Sequence, residues 1–77
     1  MNRQRRGELA KAKRHLDLAV GILENVIDAE QDSMDIIPEN LQFSDRFERM
    51  EAIVSELEDI CADAESVSDR LSTIEEK

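Results

Sequence analysis

An apolar stripe written twice at helical spacing, with one proline between the copies, constrains this chain more than any other feature. The first copy takes Leu9, Ala12, Leu16, Ala19, Val20, Leu23, Val26 and Ile27. The second takes Met50, Ile53, Val54, Leu57, Ile60, Cys61, Ala64, Val67, Leu71 and Ile74. Steps of three and four residues return to one side of an α-helix, so each copy predicts a helix with a single apolar face. Pro38 lacks an amide hydrogen and pushes Ile37 out of helical geometry, which ends the first helix and permits the chain to double back. The expected fold is all-α, an antiparallel two-helix hairpin in a single domain over residues 1–77. Helix 1 is expected over about 4–35, the turn over 36–43 and helix 2 over about 44–74. Pro38 can open a short helical turn through Glu39, Asn40 and Leu41. Ser44 or Asp45 then caps helix 2, with Asp45 and Glu48 at capping-box spacing.

A chain of 77 residues with only Phe43 and Phe47 as aromatics must build a thin, aliphatic core. Domains this small usually need a disulfide, a metal or a second subunit for comfortable stability. Cys61 is the only cysteine, so no intrachain disulfide forms, and its use points to a reducing, cytoplasmic setting. Met1 to Arg6 is basic like the start of a signal peptide, but no run of seven or more apolar residues follows. Neither a secretion signal nor a membrane span is expected.

Heptad bookkeeping shows where a second subunit would act. With Leu9, Leu16, Leu23 and Glu30 at a, helix 1 has Ala12, Ala19 and Val26 at d and Val20, Ile27 and Met34 at e. Helix 2 has Met50, Leu57, Ala64 and Leu71 at a, Ile53, Ile60, Val67 and Ile74 at d, and Phe47, Val54 and Cys61 at e. An a/d/e stripe is wider than a two-stranded seam and suits a helix with two neighbours, so two helices alone leave part of it wet. Leu18, Ile22 and Ala29 widen the arc of helix 1 to roughly 200°, about twice what a surface helix needs. Gly21 lies just beyond Leu18, where its missing side chain would let another backbone approach. The expected assembly is a homodimer forming a four-helix bundle, with Leu18, Ile22 and Val26 at the interface.

Charge is divided along the chain. Residues 1–15 carry Arg3, Arg5, Arg6, Lys11, Lys13 and Arg14 against Glu8, for +5, while residues 16–77 hold 18 acids and 4 bases, for −14, which together give −9. In an antiparallel hairpin the basic start is expected beside Glu58, Asp59, Asp63, Glu65, Asp69, Glu75 and Glu76, so that the two blocks neutralise each other and disfavour parallel pairing.

Residues that could carry chemistry have structural readings. His15 has no cysteine or glutamate at metal-ligand spacing, and the Glu-x-x-His pair of carboxylate-bridged metal bundles is absent. Cys61, between Ile60 and Ala62 on the apolar stripe, reads as a buried thiol. The run Asp28, Glu30, Asp32, Asp35 lacks the glycine and terminal glutamate of a calcium loop and lies inside a helix. No catalytic, cofactor or metal site is expected. Glu30 is the exception on the core stripe, and pairing with Arg46 or Arg49 across the turn would fix register more than it would add stability.

The turn itself carries a family likeness. Pro38, Glu39, Asn40, Leu41, Gln42, Ser44, Arg46, Glu48, Met50 and Glu51 form a PENLQ-x-S-x-R-x-E-x-ME string. It resembles a group of small, acidic, uncharacterised helical proteins of bacteria, often encoded by phages and mobile elements. The resemblance spans about residues 28–74 and implies a helical hairpin that binds and modulates another protein, with no catalytic residues to transfer.

Three functions follow as expectations. The leading one is a non-enzymatic protein-interaction module, acting on a host or defence protein. A second is an acidic nucleic-acid mimic, with Glu56, Asp59, Asp63 and Asp69 meeting a basic partner. A third is direct nucleic-acid binding through Arg3, Arg5, Arg6, Lys11, Lys13 and Arg14. The acidic remainder repels nucleic acid, and no aromatic lies near that segment for base stacking. Nucleic acid is therefore not the expected partner.

Overall fold

Two long helices and a short turn account for the computed structural model, which describes residues 1–75, with side chains to Ile74. Helix α1 spans Arg3–Asp35, a 3₁₀ turn spans Glu39–Leu41, and helix α2 spans Asp45–Glu75. The helices lie against each other along most of their length, giving a rod of about 60 × 14 × 13 Å.

Local chemistry explains each boundary. Helix α1 starts one residue earlier than the apolar pattern suggests because Asn2 caps it: its side-chain Oδ1 accepts from the Arg5 amide at 2.8 Å. At the other end the Ile37 amide donates to the Met34 carbonyl at 3.1 Å. Pro38 then sits in extended geometry, φ −57° and ψ 146°, and launches the 3₁₀ turn, closed by Leu41 N–H to the Pro38 carbonyl at 2.8 Å. Ser44 is the cap of α2, since its Oγ accepts from the Phe47 amide at 3.2 Å. Asp45 is already inside the helix, so the Asp45–Glu48 capping box does not form.

The hairpin seam uses only part of the apolar stripe. Val20 and Ile27 of α1 and Val54 and Cys61 of α2 are buried together, with Leu23, Met34, Leu57 and Ala64 packed around them. These are the a and e positions of both helices. Alternating steps of four and three along a and e make a two-helix seam as good as a and d would. In α1 the inward e edge, Val20, Ile27 and Met34, is bulkier than the d edge, Ala12, Ala19 and Val26, whereas in α2 the slimmer edge, Val54, Cys61 and Ser68, turns inward and Ile53, Ile60 and Val67 are left outside.

Candidate functional site

The d positions, freed from the seam, form one broad apolar face. In an antiparallel pair that buries the same a/e phase on both helices, the d residues of each rotate to the same side of the hairpin. Ile53, Ile60, Val67 and Ile74 of α2 are all exposed, beside Val26 of α1 at 43%. Ile27, one residue further on, is only 8% exposed. Leu18 and Ile22, at 63% and 55%, continue the apolar surface around α1. Leu18, Ile22 and Val26, picked out from sequence, thus lie on the outer surface of α1. The isoleucines and valine of α2 that share it went unmarked, because the stripe alone does not reveal which of its edges the seam consumes. At Gly21 an added Cβ would meet nothing within 4 Å, so the hairpin itself does not require glycine there.

The opposite broad face is acidic. It carries Asp17, Glu24 and Gln31 of α1 opposite Glu51, Glu58 and Glu65 of α2, all exposed. Two hydrogen bonds cross it and set the register of the helices. Gln31 Nε2 donates to Glu58 Oε1 at 3.2 Å, and the Ser68 hydroxyl donates to Asp17 Oδ1 at 2.5 Å. Ser68 is the most secluded of the polar residues, at 3% exposed. Asp17 also accepts from Lys13 Nζ at 2.9 Å through its other oxygen. The Ser68 hydroxyl, and then Lys13, hold the Asp17 carboxyl below its ordinary pKa.

Because the folded-state pKa is depressed, this stabilisation is fully present above the unfolded carboxylate value, about 3.9, and is lost as pH falls through the lower folded value. Ser68→Ala should therefore move the Asp17 pKa upward in a carboxyl NMR titration and start acid unfolding at a higher pH than in wild type. An unchanged Asp17 titration would show that the hydroxyl does not hold the carboxylate.

Cys61 lies under the same face, where Glu24, Cys61 and Glu65 bring three potential ligand atoms within 4.8 Å of one another. Burial first, then the charges of Glu65 and Glu24, push the thiol pKa up. A free thiolate is thereby disfavoured, and Cys61 packs in the seam with Val20, Ile27 and Val54.

The remaining sequence candidates are dispersed. Glu30 is half-buried on the seam, but among the described residues no ion pair joins it to Arg46 or Arg49. Arg49 Nε instead donates to the Asp45 carbonyl at 3.3 Å. Arg46 lines a cleft of about 640 Å³ at the turn, with Ser33, Ile36, Ile37, Pro38, Leu41, Ser44 and Met50. Phe43, 89% exposed, stands at the same end. Glu56, Asp59, Asp63 and Asp69 are exposed on α2, and Asp69 lines a shallow cleft between the helices with Lys13, Asp17, Val20, Glu65 and Ser68. His15 is exposed.

The basic start of α1 does not lie beside Glu58, Asp59 and Asp63 as expected, because Gln31 is the α1 residue level with Glu58. The ion pair Lys13–Asp17 lies within α1. The Ser68–Asp17 and Gln31–Glu58 bonds place Arg3, Arg5 and Arg6 beyond the level of Glu75, so the first turns of α1 overhang the described end of α2. The side chains of Glu75 and Glu76 lie outside the described residues. Among the described residues, no helix is long and apolar enough to cross a membrane. No family model, curated protein or solved structure matches the chain.

Proposed function

We propose that this chain is a non-enzymatic protein-interaction module whose hairpin pairs with itself into a four-helix bundle and acts on a further protein through its surfaces. The observation that carries this reading is the d face: five branched aliphatic side chains from two helices, exposed together on one side of a rod. Exposed apolar residues scattered singly need no explanation, whereas a contiguous patch marks an interaction site. The surface area supports the same reading. The chain exposes 6045 Å², against roughly 4,800 Å² for a compact monomer of this mass. With no fully buried side chain among the described residues, the seam alone is a meagre core. The likeness of the turn to proteins of phages and mobile elements makes a host or defence protein the favoured target.

Capture from a bacterial lysate tests the partner half of the proposal. Immobilised wild type should retain one protein that an Ile60→Glu/Val67→Glu variant fails to hold. Retention of nucleic acid alone would transfer the function to the basic segment, Arg3 to Arg14.

A second reading is favoured by Glu56, Asp59 and Asp63, exposed at about one-turn intervals along α2. Such a row can imitate phosphates before a basic groove, and the binding would weaken steeply with salt. Loss of capture by salt, with no effect of the Ile60→Glu/Val67→Glu change, selects that reading.

A further inference from the structure

The apolar face and the distribution of charge together specify how a second copy sits. The open half of the hairpin, residues 1–22 with 64–75, carries seven bases and five acids, for +2. The turn half, residues 23–63, carries two bases and thirteen acids, for −11, and the halves sum to the net −9. The exposed d residues run from Ala12 and Ile74 at the open end to Ile53 near the turn, so the face is centred near Ile22 in α1 and between Ile60 and Val67 in α2.

Resting on the self-association reading above, we infer that the occupant of this face is a second copy lying antiparallel, with Arg3 to Lys11 of each copy beside the acidic turn end of the other. The rotation axis crosses the face at its centre, stacking α1 on the α1 of the second copy. Ile22 then meets its own mate, and Leu18 of each copy lies beside Val26 of the other.

Charge decides between this arrangement and its alternative. A parallel pair sets one −11 half against the other and the two +2 halves together, which is repulsive at both ends. The antiparallel pair sets +2 against −11 twice. It also supplies acidic neighbours for the overhang, which extends past the described end of α2. Arg3, Arg5 and Arg6, past the end of described α2, come level with Asp35 and Glu39 of the second copy. The exposed Ile36, Leu41 and Phe43 at the tip reach the same level.

The area is adequate. About 22 residues of rise by two helix widths gives a face of about 33 × 20 Å, or roughly 650 Å² per copy, near the ~800 Å² per partner of a stable interface.

Pulsed EPR on the full chain, as Cys61→Ser with Gln4→Cys carrying a nitroxide, reads the orientation, with the mass measured on the same sample. Antiparallel copies put the two labels about 55 Å apart, from the helical rise between Gln4 and its mate. A dimer with a distance below about 30 Å, the span of two helix diameters and the labels, overturns the antiparallel arrangement and leaves self-association standing. A monomeric mass without dipolar coupling overturns both.

Discussion

Ile60→Glu/Val67→Glu is expected to convert a dimeric chain to a monomer by gel filtration with light scattering, and to remove the concentration dependence of its thermal melting. Both residues stand exposed on the hairpin, so the charges cost the isolated helix little. In a bundle they are buried, where each aliphatic side chain contributes ~1.5–3 kcal/mol on full burial and a carboxylate is strongly penalised. Even discounted for the half of each side chain already hidden, four such positions per dimer are worth at least ~3 kcal/mol, or more than about a hundredfold in Kd. The control places the same two charges on the other side of α2. Ser55→Glu/Ala62→Glu, also at exposed positions, should leave the mass unchanged. Equal behaviour of the two variants would show that added charge, and not the d face, governs assembly.

Neighbouring residues of α1 give the second large effect. Ile27→Ala removes a buried seam residue and should cost ~2–5 kcal/mol. Total stability for a chain this size is of order 4–11 kcal/mol, and at about 4–8 °C per kcal/mol the change lowers the melting temperature by roughly 8–40 °C. Val26→Ala trims a residue that the seam does not bury. It should cost the isolated hairpin less than about 1 kcal/mol, within the usual range for exposed sites, and show instead as weaker association. Melting followed by circular dichroism at several concentrations separates the two. Equal losses at the lowest concentration would mean that the seam does not run along a and e.

Much of the fold was legible because it depends on short-range chemistry. Pro38 ends α1, Ser44 caps α2, and the apolar steps of three and four place both helices to within a residue. Asn2 escaped notice because its capping role depends on one side-chain oxygen reaching an amide, which no periodicity records. The identity of the seam was less legible. An a/d/e stripe contains two acceptable seams, and the two helices point to different ones: Val20 and Ile27 at e outweigh Ala12 and Ala19 at d in α1, whereas Ile53, Ile60 and Val67 at d outweigh Val54, Cys61 and Ser68 at e in α2. Choosing between them decides which residues form the outward face, and the stripe alone does not single out Ile53, Ile60, Val67 and Ile74 as its members.

The polar pin moved for a similar reason. Glu30 is conspicuous as an acid on an apolar stripe, whereas Ser68 opposite Asp17 looks ordinary until the register is known. That register also carries the overhang, because a one-residue change in pairing shifts every charge on α1 relative to α2. Charge blocks read from sequence therefore do not show that Arg3, Arg5 and Arg6 run past the described end of α2.

Sedimentation equilibrium of the wild-type chain over a hundredfold range of micromolar concentrations tests the central claim most directly, since it asks whether the d face stays open. The expected result is a mass rising from 8.8 kDa to a plateau at twice that value. A mass that remains at 8.8 kDa across the whole range would contradict self-association and leave the apolar face for a different protein.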